Sequence, residues 1–172
     1  MTIMHWFALA LVGWISVHVL VTPAFGQTLS SVEITQNGDE LSIDVDQELG
    51  QNQLDAVQTG RSNRMTVSQS GGAADLRQDG ESNAADVKQV SGLELNWVDI
   101  LQHGTGNTLS LDQSGNANAA AVAQLGDLNQ MVVMQLGDGN SLSYTQSGRG
   151  LAVTVTQTGG ASVVISQTSP GP

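Results

Sequence analysis

The sequence contains no cysteine. That removes disulfides, thiolate nucleophiles and thiolate metal sites together. Only five of its 172 residues are Lys or Arg, against sixteen Asp or Glu, for a net charge of −11. A chain so short of cations has little with which to neutralise phosphates, so nucleic acid is excluded as a partner. Aromatic side chains are scarce at 3%, so a core has to be mainly aliphatic. Three histidines are present, and two of them, His5 and His18, fall in the first 26 residues. His103 alone remains, which leaves no Ser-His-Asp or metal-binding constellation. No catalytic, cofactor-binding or metal-ligating residue is assigned, and the chain is not read as an enzyme. The stretch DVDQELG (44–50) has a faint likeness to a calcium loop, but Asp44 and Asp46 read better as outward strand residues. Outward threonines at 154, 156 and 158 resemble an ice-binding face on one strand only. The acid-lined groove of a solenoid glycosidase is missing.

Long hydrophobic runs are also missing, except one. WFALALVGWISVHVLVTPAFG opens the chain and ends in Ala24-Phe25-Gly26, small residues at −3 and −1 of a signal-peptidase site. Residues 1–26 are read as a secretory signal peptide, with the mature chain beginning near Gln27. A retained membrane anchor is the alternative, because the run is long and no Lys or Arg precedes it.

What fills the rest is a repeat. Glutamine recurs at Gln36, Gln47, Gln58, Gln69, Gln78, Gln89, Gln102, Gln113, Gln124, Gln135, Gln146, Gln157 and Gln167. Most gaps are eleven residues; three are nine, thirteen and ten. Four residues before each Gln stands an apolar residue, from Val32 to Val163, and two before it another, from Ile34 to Ile165. All 26 such positions are apolar in a chain that is 40% hydrophobic. Six before the Gln, asparagine recurs at Asn52, Asn63, Asn83, Asn96, Asn107, Asn118, Asn129 and Asn140.

Those four positions differ by two, the period at which a strand returns a side chain to the same face. Asn, two aliphatics and Gln therefore point inward, and the residues between them face solvent. The Gly-x-x segments between strands are turns. The expected fold is all-β: a two-sheet parallel β-solenoid, or β-helix, of about thirteen short strands and roughly 22 residues per coil. Repeats fill about 30–167, and 168–172 form a short tail. The three irregular gaps all follow even-numbered repeats, so they fall on one edge of the solenoid.

An inward Gln without partners costs on the order of 1–3 kcal/mol. Stacked at strand spacing, each amide can donate to one neighbour and accept from the other, forming a ladder. This is why the interval is fixed. The thirteen Gln and eight Asn are the structural-ladder candidates. The insertion after Gln89 brings Leu93 and Leu95 before outward Trp97 and Leu101. Two readings stand for this patch: a lateral contact surface, or a loop folded over Trp97. Thirteen of the sixteen acids lie at or before Asp99, so the later half lacks charged gatekeepers and is the more aggregation-prone.

No Pro-rich or helical segment covers either end of the repeats. An uncapped parallel stack is a template for a further copy, so end-to-end polymerisation into a cross-β, amyloid fibre is expected. An odd strand count would turn each subunit about half a revolution from the last.

The units QTGRSNRMTVSQ (58–69), QDGESNAADVKQ (78–89), QHGTGNTLSLDQ (102–113) and the run from Gln113 to Asn140 resemble the curlin family, the subunits of curli fibres. Nearly all of 30–167 follows its Q-x-G-x-x-N-x-A-x-V-x-Q form. The resemblance implies export from a Gram-negative cell and extracellular, cell-surface fibres serving biofilm matrix and adhesion. The implied partners are further copies of the chain, another curlin-type subunit, and curli secretion and chaperone machinery. The minor, nucleating subunit is the alternative within the family. A monomeric secreted solenoid acting as a binding module is the alternative outside it. Against the family pattern, only Ser30 leads a strand with Ser, and the polar export segment before the first repeat is almost absent.

Overall fold

The structure, a computed structural model, describes residues 4–7, 13–21, 30–48 and 51–169. Every regular element among them is a strand. Two precede the repeats: β1 (Met4–Phe7) and β2 (Gly13–Val21). The repeats supply thirteen more: β3 (Ser30–Asp39), β4 (Ser42–Gln47), β5 (Asn52–Arg61), β6 (Arg64–Ser70), β7 (Gly72–Glu81), β8 (Ala84–Val90) and β9 (Trp97–Thr105). They continue as β10 (Thr108–Ser114), β11 (Ala119–Asp127), β12 (Gln130–Leu136), β13 (Ser141–Arg149), β14 (Ala152–Thr158) and β15 (Ser162–Thr168).

Alternate repeats stack into separate sheets. Sheet I runs β2-β3-β5-β7-β9-β11-β13-β15, and sheet II runs β1-β4-β6-β8-β10-β12-β14. Every repeat strand pairs in parallel with the strand one coil away, and Gln always meets Gln, as in Gln58↔Gln78↔Gln102. The fold is the two-sheet parallel β-solenoid that the period of two and the eleven-residue spacing predict.

The core is the pair of aliphatic columns. Of the 26 repeat hydrophobics, 22 form one continuous buried cluster, and the other four, Ile34, Val153, Val163 and Ile165, pack against it part-buried. Those four belong to β3, β14 and β15, the terminal repeat strands. Even Tyr144, the one bulky aromatic in the columns, is 1% exposed.

The edges differ more than the repeat suggests. Sheet I strands run on past their Gln through the glycine turn, so that Gly38, Gly60, Gly80, Gly104, Gly126 and Gly148 stack along one edge. A Cβ on Gly104 would collide with the Gly126 carbonyl, and its φ of +116° suits only glycine. On the other edge, the six residues from Ser91 to Asn96 form the long loop left by the insertion. The Asn116 Oδ1 pins it by accepting from the N–H groups of Gly92 and Leu93 at 3.0 and 2.9 Å.

The N-terminal tip is not bare in the full chain. β2 pairs antiparallel with β3, Gly13↔Gly38 through Val21↔Ser30, and β1 pairs antiparallel with β4. A strand cap, rather than a proline-rich or helical one, closes this end. The cleavage motif at 24–26 lies outside the described residues, as does the tail beyond 169. Among the described residues no helix is long and apolar enough to cross a membrane.

Candidate functional site: amide ladders, outer face and tips

The glutamines sit between the aliphatic columns and the turns, where strand pairing holds each one a single rung from the next. In sheet I, Gln36 Nε2 donates to Gln58 Oε1, and the pattern repeats through Gln78, Gln102, Gln124, Gln146 and Gln167, with distances of 2.7–3.3 Å. In sheet II the same series runs from Gln47 through Gln69, Gln89, Gln113 and Gln135 to Gln157, at 2.7–3.0 Å. Both ladders point the same way, every donor toward the C-terminal tip. Most of these amides also donate sideways across the core, as Gln78 Nε2 does to the Arg64 carbonyl at 3.0 Å. Gln58, Gln89, Gln102, Gln113, Gln124, Gln135 and Gln146 have no exposed surface. Each therefore meets water's role with fixed partners, which is what keeps a buried amide from destabilising the fold.

The eight asparagines are buried too, but they bond chiefly to backbone. Asn63 Oδ1 accepts the N–H of Asn83, Asn83 Oδ1 that of Asn107, and Asn107 Oδ1 that of Asn129, each at 3.0 Å. Asn63 Nδ2 meanwhile donates to the carbonyls of Thr59 and Gly80 at 2.8 and 3.0 Å. Asn96, Asn118 and Asn140 repeat the arrangement on the opposite edge, and Asn52 Oδ1 accepts from Gly71. Only Asn140 also donates amide to amide, to Asn118 Oδ1 at 2.9 Å. A shorter side chain at the start of a strand reaches the adjoining turn rather than its counterpart. The Asn columns thus staple turns, whereas the Gln columns ladder through the core.

Outside sheet I, Glu33, Asp55, Asp75 and Asp99 stand in register on four successive strands. Sequence reasoning placed these acids outward but did not join them into one column; their spacing of one coil was the available signal. Burial first, then the Asp75 carboxylate, holds Asp55 and Asp99 above the usual aspartate range, and the Arg77 guanidinium partly offsets this. Arg77 is committed to Asp75 through two contacts of 3.3 Å. The column continues as Ala121 and Ser143, over a shallow hollow of about 400 Å³ bordered by Leu101 and Thr145. Trp97 and Leu101 face outward beside it, 44% and 39% exposed, and Leu93 in the long loop is 97% exposed.

Among the described residues, no group of three His, Asp or Glu side chains could hold a metal ion. Asp44 and Asp46 lie on β4 opposite Thr66 and Ser68. Among the described residues, His103 contacts Asp79, 3.1 Å away on the surface.

No curated protein and no solved structure matches the chain. A family model does match: the curlin associated repeat, over residues 104–137, the stretch from the last residues of β9 to the turn after β12. The matched stretch, 34 of the 172 residues, is similar to the curlin associated repeat, and the same Gln-spaced unit recurs along the rest of the solenoid.

Proposed function

We propose that this chain is the structural subunit of an extracellular curli-type amyloid fibre. It polymerises end to end by cross-β stacking and serves cell adhesion and the biofilm matrix. On this reading, residues 1–26 are removed as a signal peptide on export from a Gram-negative cell. Residues 27–172 then form the fibre, and the Gln and Asn columns carry the stacking from copy to copy. Its partners are further copies, another curlin-type subunit, and the export and chaperone proteins of that system.

The observation that carries the proposal is the state of the tips. All four part-buried repeat hydrophobics are on terminal strands, and both Gln ladders stop there with an amide not passed on to another Gln. Burying an aliphatic side chain fully contributes about 1.5–3 kcal/mol, and an open parallel edge offers the backbone groups to go with it. A second copy supplies both. The test is the purified chain beginning at Gln27, followed by thioflavin fluorescence, electron microscopy and fibre diffraction. Fibres with a meridional spacing near 4.8 Å are expected; a chain that stays monomeric at high concentration overturns the proposal.

A further inference from the structure

The two sheets end at different heights. Setting aside β1 and β2, sheet I holds seven repeat strands and sheet II six. Successive strands alternate between the sheets, so β15 stands half a rung above β14, and the rung above β14 is open. At the other tip the projecting strand is β3, which also belongs to sheet I. Both tips are therefore steps, and the tall side is the same sheet at each.

A second copy docking in the same orientation would set its β3 on β15. Its β4 would then lie two rungs from β14, leaving a gap one strand wide in sheet II. Two edges of backbone N–H and C=O would face that gap unpaired, and buried groups of this kind are seldom tolerated. Turned half a revolution about the solenoid axis, the same copy sets β3 into the notch above β14 and β4 onto β15. Strands in the two sheets run in opposite directions around the coil, so the turn keeps the pairing parallel.

We propose that successive subunits join by this half-turn step, β14 to β3 and β15 to β4 of the next copy. The inference rests on the end-to-end assembly proposed above and specifies its interface. The residues fit. Val153 and Val155 come under Val32 and Ile34, and Val163 and Ile165 come under Ile43 and Val45. Gln157 then meets Gln36, and Gln167 meets Gln47, so both ladders continue with donor toward acceptor. All four part-buried hydrophobics become interior, whereas the unturned arrangement leaves Val153 open. β2 and β1 occupy the same two edges in the full chain, so their pairing and the junction exclude each other.

The chain lacks cysteine, which makes thiol mapping clean. On the outer faces, the half-turn brings Thr154 beside Glu33 of the next copy, and the unturned arrangement brings Val164 beside Glu33. Two variants are compared, Glu33→Cys with Thr154→Cys and Glu33→Cys with Val164→Cys, in the full chain and in the chain beginning at Gln27. Fibres from whichever form grows them are treated with a short bismaleimide, dissolved and run on a denaturing gel. Within one chain Glu33 and Thr154 are more than five rungs apart, about 25 Å at strand spacing, so a link must join two copies. A ladder of covalent multimers is expected from the first pair and monomer alone from the second. Multimers from the second pair, or from neither while fibres are visible, overturn the half-turn junction. If the parent chain and both variants form no fibres, end-to-end assembly itself falls. Helical reconstruction gives an independent reading: an axial advance of about 31 Å per subunit, six and a half rungs, with neighbours on opposite faces.

Discussion

Replacing Gln124 by leucine isolates the ladder from the rest of the fold. Gln124 has no exposed surface. Its Oε1 accepts from Gln102 at 2.8 Å, and its Nε2 donates to Gln146 Oε1 at 3.0 Å and to the Thr108 carbonyl at 3.1 Å. Leucine fills nearly the same volume, so no large cavity opens, but three buried partner groups each lose one bond. One of them keeps another partner, since Gln102 Nε2 still donates to the Ala84 carbonyl; Gln146 Oε1 loses its amide donor, and the Thr108 carbonyl loses its side-chain donor. At about 1–3 kcal/mol for each group left short of a donor, the two acceptors together lose about 4 kcal/mol at mid-range; the leucine side chain returns about 2 kcal/mol, so the net loss is about 2 kcal/mol. Ser143→Leu, on the exposed face of the neighbouring strand β13, is the control and should change stability by no more than about 0.5 kcal/mol. The assay is the urea midpoint for dissolving fibres, with the thioflavin lag time alongside. Gln124→Leu should dissolve earlier and lag longer. Equal midpoints and lags for the two variants would refute the claim that inward amides hold the stack.

Three further outcomes follow from particular sites. Gly104→Ala should cost about 3 kcal/mol from its backbone strain and the collision with the Gly126 carbonyl. Gly150→Ala, with open space around the new methyl, should cost only about 1 kcal/mol, and a denaturant titration of the two variants distinguishes them. Leu128 holds a left-handed φ of +56° and is 53% exposed, so Leu128→Asn should stabilise the chain by about 0.5–1 kcal/mol in the same titration. Asp55 and Asp99 are raised by burial and by Asp75, so just above 3.8 the folded chain holds more protons than the unfolded one. Their contribution makes stability rise as pH falls from neutral through those raised values. Asp75→Asn removes the shared carboxylate and should flatten the urea midpoint as a function of pH; an unchanged slope would show that the acidic column is not coupled.

The interior was legible because its signal is redundant. Val32, Leu54, Leu76 and Ile100 sit at fixed distances from a Gln, and a period of two leaves one face for them all. The Gln partners followed from the same arithmetic, since residues one coil apart must be neighbours. The Asn bonding was not legible, because spacing says which residues align but not whether an amide reaches its counterpart or the adjoining backbone. Nor was the column from Glu33 to Asp99, whose gaps vary with the edge insertions and close only when coils are counted. β1 and β2 were invisible for a different reason. Their segment is mostly apolar, its alternation is confined to Ile15–Val19, and nothing in it announces the antiparallel pairing seen at Gly13↔Gly38.

The stacked glycines along one edge and the variable turns along the other give the molecule a closed side and a tolerant side. Each carbonyl in the glycine stack occupies the place a neighbour's side chain would need, so foreign sequence inserted there has nowhere to go. The Leu93 region already carries two extra residues and projects fully into solvent. A peptide spliced at that point would be displayed once per subunit, and with the half-turn junction the displayed copies would alternate between the two flanks of the filament.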